Sequence, residues 1–596
     1  MDSPENNIAG HTYDARPTVH ISKGTIVGVK VYPDVSMVAV NAYLGIPYAE
    51  PPEGYFRFAV PQRHRGWNGT LYANNYKSVC PFRTKFGVKG NENCLYLNIW
   101  TPENAFSHKL PVLVYLESGQ LLNENTDLIR IAGHDLATEG VVVVSITYRQ
   151  NIFGYFCLGS PDARGNLGLL DQYMALIWIK ENISKFGGNQ EIVTLMGHST
   201  SAVAVMYHLA SPRTRRLFTN GIIMSGSVKS PSYPHNPIPM TKKLIQDLGC
   251  TMSSVQSSLE CLRTKSVEEI LSQFYRQTQV DNWYTSIMPV IDTFLSEDAR
   301  YLPHSLDFAI QHNNLSSVPI LTGITDTVPN IEQWTWNKYN LSFGELVEYA
   351  ETSVVPNLLH QYEFDKTSND AVKDIIHWKY IWSEQKDVQV LSKGIHDMQW
   401  DALVAAPHDR QLHLLVNSTR IPVYAYYLEL NTFTNMSVET NVGADLLLLF
   451  GPVLLQQIAR RRFNTVEARL STLLKQFWIS FIKRGNPNPT NGYADTWQPY
   501  TSSYKQIQHV ANGKWDAIAY ENAVTLWNKL LPKLGTAPRP VNTIPKELQY
   551  SPDPAAGFRH AMYTLVALVM ALLTLLLVCV VLLKRRAKEK LRQTGF

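Results

Sequence analysis

The stretch EIVTLMGHSTSAVAVMYHLASP, residues 191–212, decides the fold of this chain. Its first part is rich in β-branched and apolar residues, as in a buried strand, and its last part is an apolar segment typical of a helix. Gly197-His198-Ser199-Thr200-Ser201 stands between them. A strand that turns sharply into a helix at the pattern G-x-S-x-G presents the serine at the helix N-terminus. The sequence therefore predicts an exposed Ser199 at such a turn, with the small Ser201 tolerated in place of the last glycine.

Other apolar runs rich in β-branched residues recur along the chain, with helical segments between them. They lie at 109–118, 140–149, 220–227, 317–325 and 421–430. This alternation predicts an α/β fold around one long, mostly parallel sheet flanked by helices. The run VSMVAVNAYLGIPY (35–48) indicates antiparallel edge strands, and the periodicity of 469–485 and 521–534 predicts two surface helices that offer a dimer interface.

Composition places the chain among folded proteins. It has 596 residues, of which 45% are hydrophobic and 17% are charged, so it can bury a very large core. The formal net charge of +4 is small for this length, and part of the surplus lies in KRRAKEK at 584–590. A function in nucleic-acid binding has no support in this charge pattern.

An uncharged run near the C-terminus predicts a membrane anchor. Residues 561–583 are 23 residues without a charge, enough to cross a hydrocarbon core of about 30 Å as a helix. The basic residues that follow favour a cytoplasmic tail at 584–596 and an outside position for everything before the span. The segment 535–560 holds five prolines and is interpreted as a stalk. The expected location is the plasma membrane, with a single pass and an extracellular N-terminal domain.

The N-terminal tail, residues 1–19, contains no apolar run that would serve as a secretory signal. Two interpretations stay open: a signal peptide is missing from this sequence, or the protein is tail-anchored with its large domain in the cytosol. N-x-S/T sequons favour the first weakly, because a chain of this length carries several by chance. The candidate glycosylation sites are Asn68, Asn182, Asn314, Asn340, Asn417 and Asn435.

Six cysteines are present, of which Cys579 lies in the predicted span. Pairing Cys80 with Cys94, and Cys250 with Cys261, closes two short loops and leaves Cys157 as a buried free thiol. Spacing alone leaves other pairings open.

Several long segments carry a resemblance to a known family. They are AYLGIPYAEPPEGYFRF (42–58), NENCLYLNIWTP (91–102), the whole of 148–199 and LFTNGIIMSGS (217–227). With them the chain resembles the type-B carboxylesterase/cholinesterase family over about residues 20–534. The resemblance implies an α/β-hydrolase fold, and it implies that Cys80–Cys94 and Cys250–Cys261 are the first two disulfides of that family.

The same resemblance locates the residues needed for acyl transfer, which are a serine, a histidine that accepts its proton, and a carboxylate that orients the histidine. Ser199 stands at the serine position, but the histidine position holds Val442 and the acid position holds Val328. Two alternatives are a displaced acid at Asp326 and a base at His198. A neighbouring residue in such a turn points elsewhere, so we expect His198 to face the pocket wall.

The oxyanion hole implied by the family is altered as well. Its glycine-rich run is replaced by Glu117-Ser118-Gly119-Gln120, so side chains stand where bare backbone N–H groups should converge. The sequence therefore predicts a degenerate serine hydrolase that is not an enzyme, with Ser199 as a relic and with no cofactor or metal.

In domain content the chain resembles the non-catalytic members of that family, such as neuroligins, neurotactin and gliotactin. This likeness implies cell adhesion or receptor function, with a protein partner bound through the ectodomain and a homodimer as a further assembly. Two other hypotheses are a membrane-anchored carboxylesterase with weak residual activity and a ligand carrier that uses the former substrate gorge.

The last residues, Leu591-Arg592-Gln593-Thr594-Gly595-Phe596, fit a C-terminal PDZ ligand. A PDZ domain takes such a peptide as an added strand and holds its carboxylate with backbone N–H groups. Thr594 and Phe596 match the S/T-x-apolar form. A PDZ adapter is therefore a predicted partner, and a solvated basic tail that lies on anionic lipid is the alternative.

Overall fold

The computed structural model describes a large part of the chain. The described residues are 16–33, 38–84, 87–117, 121–122, 128–231, 236–277, 289–326, 341–362, 364, 369–382, 386–418, 421–429, 443–490, 497–511, 514–519, 522–534 and 582–586. The chain divides into two units, Met1–Thr536 and Ala537–Phe596. The fold below is that of the first unit.

A central sheet of eleven strands forms within the described ranges. Numbered along the chain, its strands are β1 Val29–Val31, β2 Val40–Pro47, β3 Tyr96–Pro102, β4 Leu110–Leu116, β5 Val142–Ile146, β6 Gly188–His198, β7 Asn220–Met224, β8 Ile320–Thr325, β9 Val423–Glu429, β10 Gln506–Ala511 and β11 Lys514–Ala519.

Their order in the sheet is β11-β10-β9-β8-β7-β6-β4-β5-β3-β2-β1. The seven strands from β4 to β10 run parallel to their neighbours, and the strands at both margins pair antiparallel. The predicted mostly parallel sheet and the antiparallel strands before residue 60 are confirmed. In a parallel sheet covered by helices both faces are buried, which accounts for the continuous apolar runs in these strands.

Helices cover the sheet on both faces. They are α1 His134–Ala137, α2 Asn151–Tyr155, α3 Leu167–Asn182, α4 Thr200–Ala210, α5 Ile238–Asp247, α6 Val255–Thr264, α7 Val267–Gln277, α8 Leu306–Gln311, α9 Phe343–Tyr349, α10 Val355–Gln361, α11 Asn369–Ile376, α12 Val388–Trp400, α13 Ala406–Ser418, α14 Ala444–Phe450, α15 Pro452–Ala459, α16 Thr465–Arg484, α17 Asn522–Thr525 and α18 Leu531–Leu534. Wider π-helical turns occur at Ala350–Val354, His377–Ile381, Asp401–Ala405 and Leu526–Leu530.

Short strands lie outside the central sheet. They are Thr18–Ile21, Gly24–Val27 and Thr70–Tyr72 in one small sheet, and the pairs Phe82–Thr84 with Gly87–Lys89, Leu121–Leu122 with Leu128–Ile129, and Cys157–Ser160 with Ala163–Arg164.

Two apolar cores form, one on each face of the sheet. Along β4, Val112 and Val114 belong to the first core, whereas Leu113 and Tyr115 belong to the second core, on the opposite face. Successive side chains of a strand point to opposite faces, so a single strand contributes to both cores. The carboxyl ends of the parallel strands therefore lie side by side, and packing on both faces of the sheet holds them in place.

The periodicity of 469–485 correctly predicts a helix, but it does not predict the depth at which α16 lies. Leu470, Leu474, Phe477 and Phe481 are buried in the second core. This face packs on the sheet, but the residues of α16 on the other face, Val466 among them, stay exposed, so a dimer interface on this helix remains a prediction. The segment 521–534 is helical as predicted, although it is divided by the π-helical turn Leu526–Leu530.

Both predicted disulfides are present, Cys80–Cys94 and Cys250–Cys261. Cys157 is buried and has no disulfide partner among the described cysteines. Burial raises the pKa of its thiol to about 11, so the reactive thiolate is scarce at neutral pH.

The sequons differ in exposure. Asn68 is exposed and Asn314 is half-buried. Asn182 is buried, and its amide nitrogen donates to the Trp178 carbonyl at 2.8 Å. A glycan on Asn182 would require this amide to leave the core. Asn340, Asn435 and the side chain of Asn417 lie outside the described residues.

Within the described parts of the chain, we find no helix with the length and apolar character that a membrane span needs. The predicted span at 561–583 lies outside those parts except for Leu582 and Leu583, which are exposed and belong to the helical residues 582–586. The stalk and the tail residues Thr594 and Phe596 are also outside them.

Candidate active site

Ser199 stands at the sharp turn between β6, which ends at His198, and α4, which begins at Thr200. Its backbone has φ 58° and ψ −120°, and a positive φ is unusual for a residue other than glycine. The Ser199 N–H donates to the Met224 carbonyl at 2.9 Å, which ties the turn to strand β7. The predicted strand–turn–helix elbow is confirmed, but Ser199 is half-buried rather than exposed, and its backbone conformation is strained.

Two glycines allow the elbow to form because backbone approaches them closely. A Cβ atom on Gly197 would lie 2.2 Å from the Ser201 carbonyl oxygen, and one on Gly226 would lie 2.2 Å from the Ser199 carbonyl oxygen. Real Cβ atoms do not approach backbone oxygens this closely. Any larger residue at either position would push the turn away from the sheet.

Ser201, which replaces the last glycine of the motif, stabilises the turn. Its hydroxyl accepts from the His198 N–H at 2.9 Å and donates to the His198 carbonyl at 3.1 Å. Ser201 is fully buried. These two hydrogen bonds fasten the first turn of α4 to the end of β6.

The residue after the nucleophile supplies one donor of an oxyanion hole in this kind of turn. That residue is Thr200, the first residue of α4. The first N–H groups of a helix have no intrahelical acceptor, so the Thr200 N–H can donate to a substrate oxygen. The other positions, Ser118, Gly119 and Gln120, lie outside the described residues.

Glu117, at the end of β4, is held away from open solvent. Its Oε1 accepts from the Ser145 hydroxyl at 2.7 Å, and its Oε2 lies 3.7 Å from Nη2 of Arg130. Its carbonyl accepts from the Gln150 amide at 3.1 Å. The acid that begins the altered oxyanion segment is therefore tied to neighbouring residues.

A buried carboxylate lies beneath the elbow. Asp445, near the start of α14, is fully buried and has Oδ1 3.1 Å from Nε2 of His198. Its Oδ2 accepts from the hydroxyls of Ser225 and Tyr426, each at 2.8 Å. Asp445 thus joins the ends of β6 and β7, strand β9 and helix α14 in one polar network.

Two opposing effects act on the protonation of Asp445. Burial by itself raises the pKa of this carboxyl, but the neighbouring His198 and the hydrogen bonds from His198, Ser225 and Tyr426 outweigh it, so the pKa lies below its ordinary value. Asp445 is therefore ionised at neutral pH.

The expected base and acid positions, Val442 and Val328, fall outside the described residues. The neighbour of Val442 is informative, because a Cβ atom on Gly443 would lie 2.6 Å from Nε2 of His198. The imidazole of His198 thus lies against the backbone beside position 442. Asp326, the alternative acid, is buried at the end of β8, and its N–H donates to the Leu428 carbonyl.

A small groove, with a cavity volume of about 30 Å³, lies elsewhere on the domain, between the turn at Ser22 and Lys23 and helix α3. Lys23, Arg63, Trp67, Trp178 and Glu181 are among the residues that line it. Neither Ser199 nor Asp445 contributes to this groove.

The sequence identified Ser199 and the elbow, but it did not identify Asp445 as the partner of His198, nor Ser225 and Tyr426 as donors to Asp445. The available signal was a single aspartate in the apolar run GADLLLLFG (443–451). His198 and Asp445 are 247 residues apart, so sequence spacing could not bring them together.

Comparison with known proteins gives a consistent result. The model of the family described as "Carboxylesterase family" matches residues 15–527. The chain is 28% identical to pyrethroid hydrolase Ces2a of Mus musculus, over 80% of this chain and 84% of the relative. It is 28% identical to an acetylcholinesterase of Bungarus fasciatus, over 83% of both chains. It is 29% identical to the medium-chain fatty acyl-CoA hydrolase precursor of Anas platyrhynchos, over 79% of this chain and 85% of the relative.

These names correct the prediction that the chain is not an enzyme. The relatives are named hydrolases or cholinesterases. Valines at positions 328 and 442 alter the family motif, but they do not separate the chain from a family of hydrolytic enzymes.

Proposed function

We propose that this chain, which belongs to the carboxylesterase family, binds a carboxylic ester and cleaves it slowly by acyl transfer to Ser199. The observation that carries this proposal is the conformation of Ser199, a non-glycine residue at φ 58° between a buried strand and the first turn of a helix. Strain of this kind persists where surrounding structure enforces it and is concentrated at functional sites.

The surroundings of Ser199 support chemistry at its hydroxyl. The Thr200 N–H is available to a developing oxyanion, and such a donor is worth about 10²–10³ in kcat in a serine hydrolase. The N-terminus of α4 adds a partial positive charge beside the reacting atoms. Both features stabilise negative charge on a substrate oxygen next to Ser199.

The rate should be low because Val442 and Val328, at the positions that the resemblance gives for base and acid, hold no proton acceptor. Loss of triad members costs about 10⁶-fold in kcat in a serine protease. A residual acceleration of roughly 10³–10⁴ over water remains when the oxyanion site and substrate binding persist, and the altered segment 117–120 lowers it further. The chain would then be a carboxylesterase with weak residual activity, which is one of the hypotheses drawn from the sequence.

The test uses the full-length chain in detergent with a fluorophosphonate probe and with p-nitrophenyl acetate. We expect slow labelling that peptide mapping assigns to Ser199, together with ester turnover above the rate in buffer. Ser199→Ala should abolish both, whereas Ser272→Ala, on helix α7, should change neither. If Ser199 stays unmodified after prolonged incubation and Ser199→Ala turns over the ester at the wild-type rate, the proposal is wrong.

A second function, recognition of a protein partner in adhesion or as a receptor, is favoured by a different observation. Trp378 and Trp382 are 64% and 63% exposed; Trp378 lies in the π-helical turn His377–Ile381, and Trp382 directly follows it. Exposed tryptophans are costly in water and are enriched at the energetic centres of interfaces. A second copy of this chain or a different protein would bury them.

We propose the plasma membrane as the location, with the anchor at 561–583 and a PDZ adapter at Thr594 and Phe596. The support comes from the uncharged run, the basic residues after it and the C-terminal pattern.

The exposed tryptophans are tested by sedimentation of the wild type and of the double variant Trp378→Ser with Trp382→Ser. This experiment separates a second copy from another partner, because only self-association changes the mass of the purified chain.

A further inference from the structure

We infer that His198 is the general base for Ser199 and that Asp445 orients it. This inference rests on the proposed ester cleavage at Ser199 and assigns the residue that accepts the serine proton. The base and the acid would thus come from His198 and Asp445, and not from positions 442 and 328, where the family resemblance gives them.

The first support is the position of the imidazole. His198 precedes Ser199 at the end of β6, and its ring lies against Gly443, the residue after position 442. The ring therefore occupies space beside the base position that the family resemblance gives. The first turn of α4 fixes its backbone through both hydrogen bonds of Ser201.

The second support is the tautomer. An ionised carboxylate only accepts hydrogen bonds, so Nε2 of His198 must carry the proton that Asp445 receives at 3.1 Å. In the neutral imidazole Nδ1 is then the nitrogen with a free lone pair. No described residue hydrogen-bonds to this Nδ1, and the side chain keeps 10% exposure. A base needs an available lone pair of this kind.

The third support is the rigidity of the orienting acid. Asp445 accepts from Ser225 and Tyr426 as well as from His198, and it is fully buried. The charged group that faces His198 in the described structure is Asp445 on α14. Tyr426 on β9 is the other titratable group in the network, and it contacts Asp445 rather than the ring. A buried carboxylate with fixed donors holds an imidazole in one orientation.

The Ser199 hydroxyl transfers its proton to Nδ1 of His198 while its oxygen forms a bond to the ester carbonyl carbon. The carbonyl π electrons move to oxygen, which accepts from the Thr200 N–H. Collapse of the intermediate breaks the bond to the alcohol, which leaves with the proton from Nδ1. Water repeats the sequence on the acyl-enzyme and releases the acid.

In the structure the Ser199 hydroxyl is not hydrogen-bonded to His198. Hydrogen bonds between nucleophile and base are often long in the absence of substrate and shorten when the substrate binds. Rotation of the serine hydroxyl towards Nδ1 is therefore part of the inference.

The experiment measures kcat/KM for p-nitrophenyl acetate from pH 5 to 9 with the full-length chain in detergent. The variants are His198→Gln, His198→Ala, Asp445→Asn and Ser199→Ala, with His312→Gln, at an exposed histidine after helix α8, as the matched control. General-base catalysis contributes about 10²–10⁴. We expect His198→Gln to lose at least about 10²-fold in kcat/KM and to alter its pH profile. Added imidazole should restore part of the rate of His198→Ala.

The outcomes separate the inference from the proposed function. If the wild type shows no Ser199-dependent turnover, the proposed function itself fails. If turnover depends on Ser199 but His198→Gln keeps the wild-type rate and pH profile, His198 is not the base and the inference is overturned. A loss in His198→Ala that imidazole does not relieve, in a variant with the wild-type melting temperature, also contradicts it.

Discussion

Arg149 and Asp171 form a two-point ion pair inside the first core: Nε lies 2.8 Å from Oδ2, and Nη2 lies 2.7 Å from Oδ1. The two side chains are 3% and 0% exposed. Arg149 follows strand β5 and Asp171 lies on helix α3. The pair therefore ties helix α3, which precedes the elbow strand β6 in the chain, to the end of strand β5.

Removing one member of this pair should destabilise the domain strongly. Asp171→Ala leaves the Arg149 guanidinium buried without its counter-charge, which costs about 3–5 kcal/mol in the free energy of unfolding. Glu181→Ala is the matched control, because Glu181 is on the same helix in an exposed pair with Arg63. Exposed pairs contribute about 0–1 kcal/mol. Urea midpoints measure both, and equal shifts for the two variants would contradict the assignment.

Acid should weaken the fold through His208. This residue is fully buried between Tyr301 and Gln172, and burial lowers its pKa to about 3. The unfolded chain binds a proton near the ordinary value of about 6.5, so the unfolded state gains protons first as the pH falls. Stability contributed by neutral His208 is thus complete above about pH 6.5 and falls by about 1.4 kcal/mol for each pH unit down to about pH 3.

His208→Gln tests this sign. Its free energy of unfolding should depend less on pH between 6 and 4 than that of the wild type, even though the variant is less stable at pH 7. His312→Gln is the control at an exposed histidine. A wild-type stability that rises on acidification would show that another group dominates.

Restoring the expected base and acid should not by itself give an efficient esterase. Val442→His with Val328→Glu supplies both groups, but Ser118 and Gln120 still interrupt the oxyanion segment. We expect turnover of p-nitrophenyl acetate to stay at least about 10²-fold below that of the same double variant with Ser118→Gly and Gln120→Gly, the loss typical of one missing oxyanion donor. Equal rates for the two variants would show that the altered segment is harmless.

The proposed membrane orientation, with the tail 584–596 in the cytoplasm, predicts that the large domain is accessible on the outside of the cell. An antibody to residues 20–534 should stain intact cells, and glycosidase treatment should increase gel mobility. Among the sequons, Asn68→Gln should change mobility because Asn68 is exposed, whereas Asn182→Gln should not because its amide is buried. Staining only after permeabilisation, with unchanged mobility, would favour the tail-anchored alternative.

The C-terminal residues should bind a PDZ domain through the terminal carboxylate and the side chains of Thr594 and Phe596. Adding one alanine after Phe596 moves the carboxylate but leaves the basic charge of the tail unchanged, so it should abolish binding in a peptide array. A tail that binds none of the domains, or that tolerates the added alanine, is an anchor flank and not an adapter ligand.

Local sequence was sufficient for the strands and the elbow. The β-branched runs at 140–149 and 220–227 form strands because both faces are covered, so their composition alone identifies them. The region between β8 and β9 was not predicted, although α9 to α13 and three π-helical turns lie there. Its helices are short and are joined by these wider turns, so no single long apolar period marks the region.

The sequence by itself determined the α/β class and the turn at Ser199. With the family resemblance it also predicted both disulfide loops and assigned Val328 and Val442 to the acid and base positions. Each depends on residues close together in the chain or on a family pattern. Only the tertiary structure decided that His198 contacts Asp445, that Asn182 is buried and that α16 faces the core. Those relationships depend on the order of strands in the sheet, which joins β6, β7, β9 and α14 across more than two hundred residues, and no local spacing encodes that order.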